Sequence, residues 1–287
     1  AYDLDHCYYN FNACCSSGGN FCSLLWYAMK LVNEKDVIKS LNDFKQKPFD
    51  YCIIDNFFPT KISKELSNRF PKYSSKIWHT YNNQIENKKT CNNWNLFDDL
   101  TYQIFCHLNS EYFVNLISKK IGIKLFIDPG LHGGGWHIHS NKGNLNPHLD
   151  YAIHPKMDIQ RRLNLIVYLE EHYRVSYGGH LGLWEHDTEN NLPGNLKKEI
   201  FPKFNRAVIF DTSQNSWHGL SRSINLPKNV YRKSIAIYYL CKPEKKHLNN
   251  KRALFAPREN QKKSKDVLEL IKIRADEKLF HKAYTKK

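Results

Sequence analysis

The stretch NPHLDYAIHP, residues 146–155, is the centre of the fold prediction, because it has strand character and carries His148 and Asp150 two positions apart. In a β-strand, residues i and i+2 point to the same face of the sheet, so these two side chains would project together. A single pair of this kind is not specific. It becomes a metal-site hypothesis only if the rest of the chain supplies a further ligand.

A series of short strands surrounds this stretch. From about residue 123 onward, segments with strand character are separated by Gly, Pro and Asn turns: IKLFID, GWHIHS, PHLDYAIH, RLNLIVYLE, GGHLGLWEH, RAVIFDT, SWHGLSRS and RKSIAIYYL. Many short strands in succession predict a sandwich or a jelly roll. We therefore predict a mainly β protein with helical support.

Helical patterns flank the strands on both sides. FDYCIIDNFFPTKISKELSNRF predicts a short strand, a turn at Pro59 and a helix, and FDDLTYQIFCHLNSEYFVNLISKKIG predicts a longer helical region that ends at Gly122. Near the other end, SKDVLELIKIRADEKLF predicts a helix that packs through Val267, Leu270 and Ile271. We expect N-terminal helices on one sheet and a C-terminal helix on the same domain.

The expected organisation is one domain with an extension at each end. Residues 29–122 form the helical support and residues 123–243 the jelly-roll core, while residues 244–287 form a basic C-terminal extension with a helix. Residues 1–28 contain no Lys or Arg, and their only early charges are Asp3 and Asp5, whereas a secretory signal opens with basic residues. We interpret them as an upstream or non-native extension, with the native product starting at Met29.

The composition favours a folded protein. Of the 287 residues, 41% are hydrophobic and 14% aromatic, and no apolar run reaches the roughly 18 residues that a membrane span needs. The net charge of +15 favours acidic partners. The basic residues are dispersed, however, and no nucleic-acid-binding motif accompanies them, so nucleic acid is a disfavoured but not an excluded partner.

The cysteine spacing predicts a reducing compartment. After residue 28 the cysteines are widely separated and form no C-x-x-C pair: Cys52, Cys91, Cys106 and Cys241. This spacing disfavours both a zinc site and a disulfide framework. We predict a cytoplasmic protein that does not associate with membranes, and the sequence does not indicate its oligomeric state.

His218 is the best further ligand for the His148 and Asp150 pair. It lies in VIFDTSQNSWHGL, on a strand-like segment after a loop, and two His with one carboxylate are the ligands of non-haem Fe(II) oxygenases. His137 and His139 in GWHIHS could suggest a cupin-type site, but no carboxylate follows them, so we interpret them as site-rim or structural residues. The other candidates are interpreted as surface or core residues: His132, His154, His172, His180 and His186.

Four polar residues on strand-like segments suggest a small dicarboxylate ligand. Arg232 and Ser234 lie two positions apart in YRKSIAIYYL, and an Arg fork beside a hydroxyl suits a terminal carboxylate. Asn164 and Tyr168 lie in the otherwise apolar segment RLNLIVYLE. Polar groups in a buried strand need a reason to be there, and ligand binding is one such reason.

The ordered motifs NPHLD, RRLNLIVYLE, GGHLGLW, FPKFNRAVIF, NSWHGL and YRKSIAIYYL resemble the prolyl 4-hydroxylase-like branch of the 2-oxoglutarate- and Fe(II)-dependent dioxygenases. The resemblance covers roughly residues 50–243. It implies a double-stranded β-helix core and an iron site formed by His148, Asp150 and His218. It also implies cosubstrate binding by Arg232 with Tyr168, Ser234 and Asn164.

Lys233 is a rival for Arg232 in this resemblance, because some relatives use Lys at the cosubstrate carboxylate. Strand alternation allows only one of the two residues to face inward, and Arg232 matches the family spacing better. The resemblance implies that 2-oxoglutarate and O2 are consumed, that succinate and CO2 are released, and that an unactivated C–H bond is hydroxylated. Ascorbate is a further candidate cofactor. Retention of Asp150 favours hydroxylation over halogenation, since related halogenases have a small residue there.

The predicted substrate is a peptidyl or free amino-acid side chain, as in prolyl hydroxylases, or a small metabolite or glycan precursor, so the expected partner is a peptide or a small molecule. One alternative is a nucleic-acid demethylase of the same superfamily, which is disfavoured because RKSIAIYYLCK lacks the second Arg expected there. The other is a catalytically silent jelly-roll binding domain, which the intact ligand residues disfavour.

Three loops are expected at the mouth of the barrel, where loops of this fold select the substrate: GLHGGGWHIHSNKGN, AIHPKMDIQR and EHDTENNLPGN. Nearby tryptophans could line a pocket or fill the core. We expect Trp184 in the core and leave Trp136 and Trp217 open between the two.

Overall fold

The structure is a computed structural model that describes residues 30–247 and 251–284, so the prediction for residues 1–28 lies outside the described residues. Within these ranges the chain forms two antiparallel sheets and five α-helices. The helices are α1 (Glu34–Leu41), α2 (Thr60–Asn68), α3 (Asp99–Leu108), α4 (Glu111–Ile121) and α5 (Lys265–Ala275). The strands are β1 (Tyr51–Ile54), β2 (His79–Asn82), β3 (Glu86–Cys91), β4 (Gly135–His139), β5 (Asn144–Leu145), β6 (His148–Leu149), β7 (Gln160–Tyr168), β8 (Leu181–Asp187), β9 (Leu192–Ile200), β10 (Ala207–Asp211), β11 (His218–Leu220), β12 (Arg232–Cys241) and β13 (Leu254–Phe255).

The two sheets have the topology of a jelly roll, as predicted. The major sheet has the order β1-β10-β7-β12-β4-β3-β2, with β5 paired to β3, and the minor sheet has the order β13-β6-β11-β8-β9. Strands that are neighbours in a sheet are therefore mostly distant in sequence. This crossing connectivity brings β6 and β11, which carry the predicted metal ligands, side by side.

An apolar layer joins the two sheets. It consists of inward side chains of β1, β7 and β10 on one side and of β8 and β9 on the other: Tyr51, Tyr168, Val208, Phe210, Leu181, Leu183 and Ile200. The alternation of β8 buries Leu181 and Leu183, which places Trp184 on the outer face, where it is only half-buried. The expectation that Trp184 fills the core was therefore wrong.

The other face of the major sheet packs against the N-terminal helices. Leu163, Leu165 and Val167 of β7 belong to one core with Phe105 of α3 and Phe113 of α4. Trp136 is buried in this layer, with its ring centroid 4.7 Å from that of Phe97. Trp217 is fully buried as well, so both of these tryptophans have a packing role.

The helix boundaries follow local capping signals. Ser110 Oγ accepts a hydrogen bond from Phe113 N at the start of α4, and Gly122 ends this helix with φ 72°, a left-handed conformation that favours glycine. The longer helical region predicted here is two helices, because Ser110 caps a new helix directly after Asn109 ends the preceding one.

Two parts of the strand prediction differ from the structure. IKLFID forms only one bridge, between Phe126 and Leu240, and the N-terminal third contains the β2–β3 hairpin, which extends the major sheet through β4. The third predicted loop also contains the start of β9, since this strand begins at Leu192.

The C-terminal segment packs on the minor sheet, as predicted. β13 pairs with β6, and Val267 and Ile271 of α5 are buried against Phe255 and Ile85, with Leu270 packed beside them. Among the residues that the structure describes, none of the helices combines the length and apolar character needed to cross a membrane.

Candidate metal centre and cosubstrate pocket

The side chains of His148, Asp150 and His218 meet at one point. His148 and His218 are directly opposite each other on β6 and β11. His148 Nε2 lies 3.7 Å from Asp150 Oδ1, and His218 Nε2 lies 3.8 Å from Asp150 Oδ2. One ligand atom of each residue lies within 4.8 Å of the other two, a geometry that can hold a metal ion. The structure thus brings together all three predicted ligands.

Strand alternation explains only part of this arrangement. β6 contains His148 and Leu149 but ends before Asp150, so the predicted strand PHLDYAIH is shorter than expected. The Asp150 carboxylate is oriented from the opposite sheet instead, where the Tyr238 hydroxyl donates a hydrogen bond to Oδ2 at 3.0 Å.

Each imidazole is oriented by a backbone carbonyl. His148 Nδ1 lies 3.0 Å from Asn146 O and His218 Nδ1 lies 2.8 Å from Ser216 O. A carbonyl can only accept, so Nδ1 carries the proton and Nε2 presents its lone pair toward Asp150. Metal-binding histidines are commonly oriented in this way. The donor set therefore fits an Fe(II) ion with two imidazole nitrogens and one carboxylate.

The electrostatic environment keeps these groups in the protonation states that a metal needs. Burial and the neighbouring His218 lower the pKa of His148 to about 3, which keeps it neutral. Burial raises the pKa of Asp150, but His218, His148 and Arg161 outweigh that effect, so the net pKa is below the usual range. A neutral imidazole and an ionised carboxylate are both competent ligands.

Aromatic rings cover the two histidines. The Phe255 ring stacks on His148 with centroids 5.0 Å apart and an interplanar angle of 15°. The Phe210 ring lies 4.7 Å from His218. Sequence analysis did not identify Phe255, because it belongs to the C-terminal extension outside the motifs of the core.

The predicted cosubstrate residues line the inward face of β7 and β12. Ser234 is directly opposite Tyr168 in this sheet, and Arg232 Cζ lies 4.9 Å from the centroid of the Tyr168 ring. Arg232 Nε donates to Gly179 O at 2.8 Å. The terminal nitrogens form the edge of the guanidinium that can bind a carboxylate with two hydrogen bonds.

Two buried polar atoms in this pocket have no hydrogen-bond partner among the described residues. They are the Tyr168 hydroxyl and Asn164 Oδ1. Burial raises the pKa of Tyr168, although the Arg232 charge opposes this effect, so the hydroxyl keeps its proton and can donate. Unpaired buried polar groups are costly, and a bound dicarboxylate would satisfy the hydroxyl.

Lys233 is directed away from this pocket. Its Nζ lies 3.0 Å from Glu170 Oε2 in an ion pair, whereas Arg232 shares the inward face with Ser234. Of the two rival cations, only Arg232 lies beside Tyr168.

The histidines predicted to be structural have varied positions. His137 and His139 lie on β4 opposite Ser234 and Arg232, and burial lowers the pKa of His137 to about 3. His154 is buried, with its Nε2 3.6 Å from Asp128 Oδ1. The others differ in exposure: His132 and His186 are half-buried, His180 is buried and His172 is exposed.

Arg161 is a further buried cation near the centre. Its guanidinium lies between the rings of Tyr151 and Tyr238, with Cζ 3.7 Å from each centroid. Arg161 and Tyr238 were not among the predicted site residues. Tyr238 shares the strand parity of Arg232 and Ser234, so alternation along β12 was a signal that could have found it.

Comparison with known proteins agrees with this geometry. Residues 135–240 match the family model of the 2OG-Fe(II) oxygenase superfamily. The fold is similar to a Pseudomonas putida prolyl-4-hydroxylase, with 12% identity, a TM-score of 0.54, and coverage of 72% of this chain and 99% of that one.

More distant structural similarities also occur. The Trichoplax adhaerens prolyl hydroxylase in complex with a hypoxia inducible factor peptide fragment is 18% identical, with 72% of this chain and 88% of that chain covered and a TM-score of 0.49. HygX from Streptomyces hygroscopicus is 12% identical, with coverages of 67% and 82% and a TM-score of 0.44. No curated protein sequence matches the chain.

The match of residues 135–240 to the 2OG-Fe(II) oxygenase superfamily agrees with the resemblance that the sequence motifs predicted. The protein is a 2-oxoglutarate-dependent dioxygenase with Fe(II) and 2-oxoglutarate as its cofactors. The prolyl-4-hydroxylase fold is consistent with the predicted branch.

Proposed function

We propose that this dioxygenase hydroxylates an unactivated C–H bond of an amino-acid side chain or a small molecule, in the manner of prolyl hydroxylases. His148, Asp150 and His218 would bind Fe(II). Together with 2-oxoglutarate, the bound iron supplies O2 activation and the oxidative decarboxylation that yields succinate and CO2. Retention of the Asp150 carboxylate supports hydroxylation over halogenation.

The observation that carries this proposal is the orientation of the two imidazoles. Each Nδ1 faces a backbone carbonyl, so both Nε2 atoms are directed toward the Asp150 oxygens. Polar residues brought together by chance would not need a hydrogen bond from each Nδ1 to a backbone carbonyl. The arrangement supports a site that is preorganised for a metal.

The remaining residues would position the cosubstrate and exclude water. Arg232 would bind the distal carboxylate of 2-oxoglutarate, with the Tyr168 and Ser234 hydroxyls as donors and Asn164 as a further polar contact. The rings of Phe255 and Phe210 cover the histidines, which lowers the local dielectric and strengthens these electrostatic contacts.

Succinate formation from 2-oxoglutarate tests the proposal. The full chain is incubated with Fe(II), O2 and 2-oxoglutarate without a second substrate, and slow succinate release is expected. The variants His218→Ala and Asp150→Ala should lose it, while His172→Ala, which changes an exposed histidine, should retain it. Absence of turnover in the wild type, together with no 2-oxoglutarate-dependent Fe(II) binding, would instead support a silent binding domain.

We also propose a reducing, cytoplasmic environment for the enzyme. The described cysteines are thiols rather than disulfides: Cys52, Cys91, Cys106 and Cys241. Burial raises the pKa of Cys52 to about 12, which makes its thiol unreactive. Cell fractionation of the native host would test this location.

A further inference from the structure

The C-terminal segment carries two arginines, Arg252 and Arg274, with no acidic partner among the residues that the structure describes. Arg252 Nε and the Nε and Nη1 atoms of Arg274 are buried and have no hydrogen-bond partner within residues 30–247 and 251–284. A buried donor that gives up water without gaining an acceptor destabilises the folded protein. Three such atoms on two arginines leave donor capacity that an anionic ligand would satisfy.

Aromatic contacts connect these arginines to the metal centre. Arg274 Cζ lies 5.5 Å from the Phe255 ring centroid and 5.2 Å from that of Tyr284. Phe255 in turn stacks on His148. Arg274 and the predicted iron ligand His148 therefore contact the same aromatic ring.

The local carboxylates are already engaged. Glu86 Oε1 lies 3.1 Å from Lys88 Nζ, and Glu277 Oε2 lies 3.8 Å from Lys251 Nζ. Asp150 is directed to the predicted metal site. The segment thus has an excess of positive charge beside the centre, which a negatively charged ligand would neutralise.

Arg252 and Tyr151 complete this cluster. The Arg252 guanidinium lies 3.6 Å from the Phe280 ring centroid. Burial and the like charge of Arg274 lower the pKa of Arg252, whereas Tyr284 and Tyr151 raise it. The Tyr151 hydroxyl is buried and also has no partner among the described residues.

We propose that the substrate carries an oxyanion, a phosphate or a carboxylate, which Arg252 and Arg274 bind beside the metal centre with the Tyr151 hydroxyl as a further donor. Two planar guanidinium groups present several N–H donors in the geometry that oxyanions accept. This inference rests on the proposed hydroxylase function, because it concerns the substrate of that same site.

Binding of small anions tests the inference without a known substrate. The full chain is loaded with Ni(II) and saturating 2-oxoglutarate, so that the cosubstrate site is filled and no reaction occurs. Phenyl phosphate and benzoate are then titrated by calorimetry, with benzyl alcohol as the neutral control. The tighter of the two anions identifies which oxyanion the site prefers.

Arg252→Gln and Arg274→Gln should each weaken anion binding at least about tenfold, since each removes a charge-assisted contact. The matched control is Arg69→Gln, which changes an arginine on the helical layer bound to Glu65 and should leave anion binding unchanged. Arg252→Lys and Arg274→Lys keep the charge and should weaken binding less. Thermal unfolding identifies any variant that fails to fold.

The inference is overturned if neither anion binds more tightly than benzyl alcohol, or if the Gln variants bind the anion as tightly as the wild type does. Succinate formation by the wild type with Fe(II) is measured separately. Anion binding without succinate formation and without 2-oxoglutarate-dependent Fe(II) binding would contradict the proposed function and leave the anion site intact, so the two failures are distinguishable.

Discussion

The Tyr238 hydroxyl donates a hydrogen bond to Asp150 Oδ2 at 3.0 Å and thereby joins the two sheets at the metal centre. Tyr238 lies on β12 of the major sheet, whereas Asp150 directly follows β6 of the minor sheet. The carboxylate is therefore oriented by a residue from the sheet that also carries Arg232. Metal and cosubstrate positions are linked through one strand.

Tyr238→Phe should weaken Fe(II) binding by about tenfold to a hundredfold, because an unsupported Asp150 carboxylate rotates more freely. Anaerobic metal titration measures the effect. Tyr239→Phe is the matched control, since the Tyr239 hydroxyl donates to Leu108 O on the helical side. That variant should lower stability and retain metal affinity, and equal metal affinity in both variants would contradict the orienting role of Tyr238.

Arg232→Gln should raise KM for 2-oxoglutarate by about tenfold to a hundredfold, because it removes the paired donors to the distal carboxylate. Lys233→Gln should change KM less than about twofold, since Lys233 pairs with Glu170 outside this pocket. Initial rates of succinate release at varied 2-oxoglutarate concentration give both values. A larger increase in KM for Lys233→Gln than for Arg232→Gln would show that Lys233 binds the distal carboxylate.

Phe255→Leu should destabilise the protein by about 1–2 kcal/mol through lost packing. It should also weaken metal binding by about tenfold, because the ring that stacks on His148 is removed. Phe113→Leu, in the helical layer, should have a similar effect on stability and none on the metal. Urea unfolding and anaerobic titration separate the two effects.

His139 should make stability depend on pH. Burial and then the Arg232 charge hold the pKa of His139 well below its usual range, while the unfolded chain titrates near pH 6.5. Below that pH the unfolded state binds a proton that the folded state does not. The free energy of unfolding is therefore highest above about pH 6.5 and decreases as the pH falls.

His139→Leu should therefore reduce the slope of the free energy of unfolding against pH by about 1.4 kcal/mol per pH unit between about pH 6 and pH 4. Urea unfolding at several pH values measures the slope. His172→Leu, at an exposed position, should leave the slope unchanged. An unchanged slope in His139→Leu would show that this side chain is protonated in the folded protein.

Strand alternation predicted much of the site from sequence. Arg232 and Ser234 share a face of β12, and Asn164 and Tyr168 share a face of β7, as their spacing of two and four residues requires. Alternation does not predict which strands pair with each other in a sheet. His148 and His218 are opposite each other only because β6 and β11 pair, and the family motifs rather than the residue spacing predicted that.

The parts missed by sequence analysis have physical reasons. The hairpin strands β2 and β3 read HTYN and ENKKTC, and these mostly polar sequences carry little hydrophobic alternation. Such strands are held by backbone hydrogen bonds to a sheet already formed. Phe255 lies on a two-residue strand, too short for any periodicity to indicate that it covers His148.

The position of β6 between β11 and β13 has a consequence for how the enzyme is made. Both neighbours of His148 in the minor sheet come later in the chain. A ribosome therefore releases His148 and Asp150 first, His218 next and the covering Phe255 last. An incomplete nascent chain therefore displays two of the predicted ligands without their cover, and His148 is covered only once the segment that holds Phe255 has been made.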